Sequence, residues 1–138
     1  MPSLDGGECY LCWSAYGEPL HLWLKPLPDR GVWAWLEGTS LEPVVFTGAE
    51  ADQLLTLWRD LRRKQRAGVV TDQQWCVVAT GEESGTRTAL VYGLEHGHVT
   101  YWRVGEPRDP VPLDLNAIGE LIKAWDEVRG KEPWRPPA

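Results

Sequence analysis

Residues 43–61 read PVVFTGAEADQLLTLWRDL, and residues 110–128 read PVPLDLNAIGELIKAWDEV. The two stretches follow one pattern without a gap, from Pro43 over Pro110 to Leu61 over Val128. Each opens on a proline, continues through a short apolar run, and then carries apolar residues at helical spacing. Ala51, Leu54, Leu55, Trp58 and Leu61 fall at i, i+3, i+4, i+7 and i+10. Ile118, Leu121, Ile122, Trp125 and Val128 occupy the same offsets. Each set makes one apolar stripe on a helix. Thr47 with Glu50 forms a capping box at the first helix start, and Asp114 or Asn116 can cap the second. Gly68 and Gly130 follow the helix ends, where left-handed caps are common.

Upstream of each helix the spacing predicts four strands. Cys9–Trp13 and Trp75–Ala79 are short apolar runs. Leu20–Leu27 and Gly31–Glu37 alternate with period two, as do Thr88–Leu94 and Val99–Val104. Pro28-Asp29-Arg30-Gly31 and His96-Gly97 fall where hairpin turns belong. Val44–Phe46 and Val111–Leu113 form short fourth strands, whose leading prolines suit a sheet edge. Laid over one another without a gap, residues 8–61 and 75–128 share nine identities, among them Cys9 with Cys76, Leu27 with Leu94, Trp35 with Trp102 and Trp58 with Trp125. The fold expected is α+β, with tandem ββββα repeats over 8–65 and 74–130. Each antiparallel sheet is covered on one face by a helix, and the whole packs as an internal pseudo-dimer in a single domain spanning 1–138. Residues 131–138 form an extended tail anchored by Trp134.

The chain has 138 residues, enough to bury a core of its own, and 43% of them are hydrophobic. A formal charge of −6 disfavours generic binding to nucleic acid. No apolar run approaches the ~20 residues that a membrane span needs. Met1–Gly7 is polar and lacks a signal-peptide pattern. Three cysteines are too few and too odd in number for a disulfide framework, so the expectation is a cytoplasmic chain with reduced thiols.

No nucleophile elbow, phosphate loop, dinucleotide fingerprint or HExxH occurs, and no enzymatic activity or cofactor is expected. Cys76 lies inside the apolar run Trp75–Ala79 and reads as a core residue, not as a nucleophile. Cys9, Cys12, His96 and His98 could supply four zinc ligands. Residues i and i+3 of a strand point to opposite faces, however, so two buried thiols and two hairpin histidines are the plainer reading. Arg59, Arg62, Arg63, Lys64 and Arg66 hold five of the 14 basic residues at the end of the first helix. They suit the helix dipole, and equally a phosphate or an acidic partner surface. The second helix has no equivalent run. Trp23, Trp33 and Trp35 share a strand face opposite Leu22, Leu24 and Val32, with Leu90, Thr100 and Trp102 at their gap-free counterparts. They form either a second core or an exposed platform.

The element order over residues 8–128 is similar to that of the Whirly and PC4-like family, which binds single strands on curved sheets. That resemblance implies single-stranded nucleic-acid binding. The basic sheet of the family is absent here, since the middle strands carry Lys25 and Arg103 and little else positive. The function expected first is therefore a non-enzymatic regulator or inhibitor that docks on a larger protein through Trp23, Trp33, Trp35 and the basic run. A phage or mobile-element protein acting on host machinery such as RNA polymerase has this general size. A small zinc-binding domain is the third possibility.

Overall fold

The computed structural model describes residues 2–39, 41–68, 73–95, 98–103, 111–115 and 118–135, with the backbone alone at 95 and 101–103. The chain is α+β. In order, the elements are β1 (Glu8–Trp13), β2 (Pro19–Pro26), β3 (Val32–Leu36), β4 (Val44–Phe46), α1 (Gly48–Arg66), β5 (Gln73–Gly81), β6 (Arg87–Glu95), β7 (His98–Arg103), β8 (Val111–Leu113) and α2 (Ile118–Arg129). A single helical turn at Pro28–Arg30 joins β2 to β3.

The eight strands form one antiparallel sheet in chain order, in place of the two sheets expected. The junction is β4, which pairs with β5 through Val44 opposite Gly81 and Val45 opposite Thr80. It is thus an interior strand and not an edge. Pro43 tolerates this because it sits just before the ladder and offers only its carbonyl, which accepts from Glu82 N–H at 2.8 Å. The far end of the sheet comes back to its start. Ser14 bridges to Leu113, Ala15 N–H donates to the Pro112 carbonyl at 2.9 Å, and Asp114 N–H donates to the Trp13 carbonyl at 3.0 Å.

One face of the sheet takes both helices. Cys12, Leu24, Val32, Phe46, Val77, Leu90, Leu94, Val99 and Leu113 meet the helix stripes in one apolar core. The capping box at Thr47 and Glu50 is present, with Glu50 N–H donating to Thr47 Oγ1 at 3.2 Å and Thr47 N–H to Glu50 Oε1 at 2.9 Å. Helix α1 lies against β4 and β5, and α2 against β1 and β2. Arg129 fastens the end of α2 to the start of α1. It bonds the Asp52 carboxylate at 2.6 Å, the Arg30 carbonyl at 3.0 Å and the Gly48 carbonyl at 3.4 Å.

The gap-free register fails in one strand. The alignment that lays Pro43 on Pro110 also places Cys12 on Ala79, Val32 on Val99 and Phe46 on Leu113, all of them buried on the helix face. The same alignment would place Leu24 on Val91, which points the other way. Leu22 pairs with Tyr10 and Leu36, and their counterparts Val77 and Arg103 both pair with Leu90. The counterpart of Leu22 is therefore Leu90, one position later than the gap-free alignment has it. The β5–β6 turn is one residue longer than the β1–β2 turn. Six residues separate the last pair, Thr80 and Arg87, against five between Trp13 and Pro19. A shorter β6–β7 connection then restores the frame. Leu27 with Leu94 and Trp23 with Leu90 are therefore not structural counterparts; the position of Trp23 is taken by Val91. A one-residue slip exchanges the two faces of a strand.

Candidate functional site

The sheet face turned away from the helices carries the aromatic set. Cys9, Trp23 and Trp35 pair across β1, β2 and β3 to form one row. Leu11 and His21 lie opposite each other in the next row, and Trp13 and Pro19 in the one beyond. Leu11 is 51% exposed and Trp13 is 40% exposed. Trp23 and Trp35 are half-buried. Leu11 and Trp13 thus extend the surface expected from Trp23 and Trp35. Their i, i+2 spacing with Cys9 carries the signal, but the run 9–13 is apolar on both faces and hides the alternation.

Trp33 is no part of an open platform, being 2% exposed. It lies beneath Lys25, whose Nζ stands 4.2 Å from the Trp33 ring centroid and 4.5 Å from that of Trp134. Lys25 also donates to the Ser3 carbonyl at 2.7 Å and is itself 1% exposed. Burial lowers the pKa of Lys25, while Glu82 and Asp5 pull it the other way. The tail is held at this point too, since Trp134 N–H donates to the Pro26 carbonyl at 2.8 Å. The Trp134 ring fills the space where a side chain at Gly6 would stand, and Gly6 has φ of 76°. Glycine is required there on both counts. The two terminal segments therefore roof one end of the aromatic face and leave its Leu11–Trp13 end open. Beneath the roof, the buried indole N–H groups of Trp23 and Trp33 have no acceptor among the described residues.

The basic run lies on the helix side of the sheet, so the two predicted binding clusters do not form one surface. Arg59, Arg62, Arg63 and Arg66 line an open groove with Ala67 of α1 and Ile122 of α2. Arg59 bonds Asp126 across the helix pair at 3.0 Å. Arg63 and Lys64 both pair with Asp60, and their hydrogen bonds hold its carboxyl below the usual range, Arg63 contributing most. Lys64 turns from the groove toward Gln73 and stands 5.2 Å from the Trp75 ring centroid. Among the described residues, Arg62 and Arg66 have no carboxylate partner.

The thiols do not converge. Cys12 is buried in the core, while Cys9 is exposed on the opposite face of β1. Burial, and to a lesser extent Cys9, push the Cys12 thiol up to about 11. Burial and then Glu37 raise that of Cys9. Cys76 is exposed, against the core position expected of it. On β5 it is Val77 and Ala79 that face the helices, and Cys76 shares the outer parity of Val78. His98 opens β7, and His96 lies outside the described residues. Among the described residues no group of three or more His, Cys, Asp or Glu side chains could hold a metal ion. An apolar cavity of about 60 Å³ lies between sheet and helices, lined by Cys12, Leu22, Trp58, Tyr92 and Trp125 among others. Small-molecule sites need roughly 300 Å³ or more, so it is a packing gap on this scale. Among the described residues no helix is long and apolar enough to cross a membrane.

No protein family, curated relative or solved structure matches this chain.

Proposed function

We propose that this chain is a duplicated ββββα module that works as a non-enzymatic, protein-binding regulator or inhibitor. Element order supports the duplication: four strands and a helix occur twice. The contact between Trp58 and Trp125, which hold the same place in the two helix stripes, supports it further. In a pseudo-dimer, counterpart side chains meet each other near the pseudo-twofold axis, as residues do across a C2 interface.

One observation carries the functional reading. Leu11 and Trp13 are exposed at successive outer positions of β1, in the rows next to that of Cys9, Trp23 and Trp35. A contiguous apolar and aromatic surface of this kind marks an interaction site more often than a lone exposed residue does. Single-stranded nucleic acid, the rival partner, stacks on aromatic faces but also needs cations that track the backbone. The outer positions of β1–β3 offer only Lys25, which is buried, and His21, which stands 3.8 Å from Glu37. A protein partner fits this surface better. Host machinery such as RNA polymerase is the first candidate.

The test is affinity capture from host extract with the wild-type chain and with a Leu11→Ala/Trp13→Ala variant. Proteins retained by the wild type and lost by the variant are the expected result. Identical capture by both, with both folded, would remove this face from the reading. A salt-sensitive mobility shift with oligo(dT) that depends on Trp13 would favour the nucleic-acid alternative.

A further inference from the structure

Arg62 and Arg129 stand at corresponding positions on α1 and α2, each four positions after its stripe tryptophan, Trp58 or Trp125. Arg129 is buried, whereas Arg62 lines the open groove, and they differ in their acid partner. Arg129 bonds the Asp52 carboxylate at 2.6 Å. The position corresponding to Asp52 is 119, and there the chain has glycine. The Arg62 guanidinium lies directly over it: a Cβ built on Gly119 would stand 3.0 Å from Arg62 Cζ and 3.2 and 3.3 Å from its two terminal nitrogens. Arg62 therefore stands over the position that corresponds to Asp52, where glycine supplies no acid. Among the described residues no other carboxylate replaces that acid. Among the described residues Arg66, one helical turn further on, also has no carboxylate partner, and it lines the same groove.

We propose that the α1–α2 groove is a carboxylate receptor, in which Arg62 and Arg66 take acidic side chains from a segment of the protein partner. The proposal rests on the docking reading above and names the second contact of that complex. The duplicated half supplies the chemistry, because the niche that holds Arg129 is completed by a carboxylate. The rest of the groove agrees. Arg59 and Arg63 already pair with Asp126 and Asp60, which leaves two open guanidinium groups and not the extended basic track that a nucleic-acid backbone requires. Ile122 and Ala67 give the groove an apolar floor. The matching ligand is an amphipathic segment with two carboxylates about one helical turn apart and an apolar residue between them. Arginine meets carboxylate as a planar fork, so each pair can be bidentate.

The probe is a fluorescein-labelled helical peptide with two glutamates one turn apart flanking a leucine, followed by fluorescence polarisation at low salt. Saturable binding that weakens roughly three- to tenfold in Arg62→Ala is expected. Gly119→Asp is the sharper variant. It restores the missing acid, so it should raise the melting temperature by about 3 °C while blocking the peptide to a similar degree. A Leu11→Ala/Trp13→Ala chain should bind the peptide as the wild type does, so loss of the groove and loss of the docking face are read separately. No binding to the wild type, or equal binding by the wild type, Arg62→Ala and Gly119→Asp, overturns the proposal. Tighter binding of oligo(dT), sensitive to the same two variants, overturns it in favour of nucleic acid.

Discussion

Trp58 and Trp125 meet edge to face, with ring centroids 5.3 Å apart and planes at 79°. They are the largest side chains of the two helix stripes, and they are only 4% and 1% exposed. Among the described residues only one of the two indoles has a hydrogen-bond acceptor: Trp125 Nε1 donates to the Ala51 carbonyl at 3.0 Å, while Trp58 Nε1 is buried without one. Trp58→Ala and Trp125→Ala should each cost about 3–5 kcal/mol, as truncated core aromatics do. The phenylalanine variants separate the pair. Trp125→Phe loses a hydrogen bond and Trp58→Phe sheds an unsatisfied donor, so Trp125→Phe should be less stable by about 1 kcal/mol. Urea denaturation followed by circular dichroism measures the difference, and equal costs would contradict it.

Thiol accessibility gives a second expectation. Cys9 and Cys76 are exposed and Cys12 is buried, with its thiol pushed up to about 11. Titration with a thiol-specific disulfide reagent at about pH 8 should label two cysteines in the native chain and the third only after denaturation. Cys9 should react more slowly than a free thiol does, since burial and Glu37 raise its pKa. Native labelling of Cys12 at a comparable rate would mean that β1 does not hold its register.

The Lys25 cage should govern the terminal segments. Trp134→Ala removes one of the two rings around a buried ammonium and should destabilise by about 2 kcal/mol. It should also open the segment after α2 to limited proteolysis. Resistance equal to that of the wild type would mean that the Trp134 backbone bond to Pro26 holds the tail unaided.

Asp60 should supply part of the acid limb of stability. Hydrogen bonds from Arg63 and then Lys64 depress its folded pKa below the ordinary 3.8. A depressed carboxyl stabilises the fold above the unfolded value and loses that contribution as pH falls through the lower folded value. Asp60→Asn should therefore flatten the fall in melting temperature below about pH 4 and leave its slope near neutrality unchanged. An identical acid profile in both chains would remove the pair from the account.

Much of the fold is legible in the residue pattern, and the failures share a cause. The helix stripes, the Thr47–Glu50 cap and the eight strands follow from periodicity and end signals that act locally. The face of β6 does not, because the turn before Arg87 is one residue longer than that before Pro19, which shifts strand parity against the gap-free alignment, and no local propensity records it. Cys76 is hard to place for a related reason: Trp75–Ala79 is apolar throughout, so its alternation is silent. Joining the halves into one sheet depends on the short strand β4 pairing with residues more than thirty positions later, a tertiary choice. The basic run is visible in the sequence, but its open member is not. That Arg62 lacks an acid emerges only when Gly119 is seen beneath it and compared with Asp52 beneath Arg129.

Ser3 and Trp134 are both seated on Lys25, so two segments far apart in the chain share one buried ammonium. Lifting either one wets the ammonium and weakens its hold on the other, so their release is a single cooperative event.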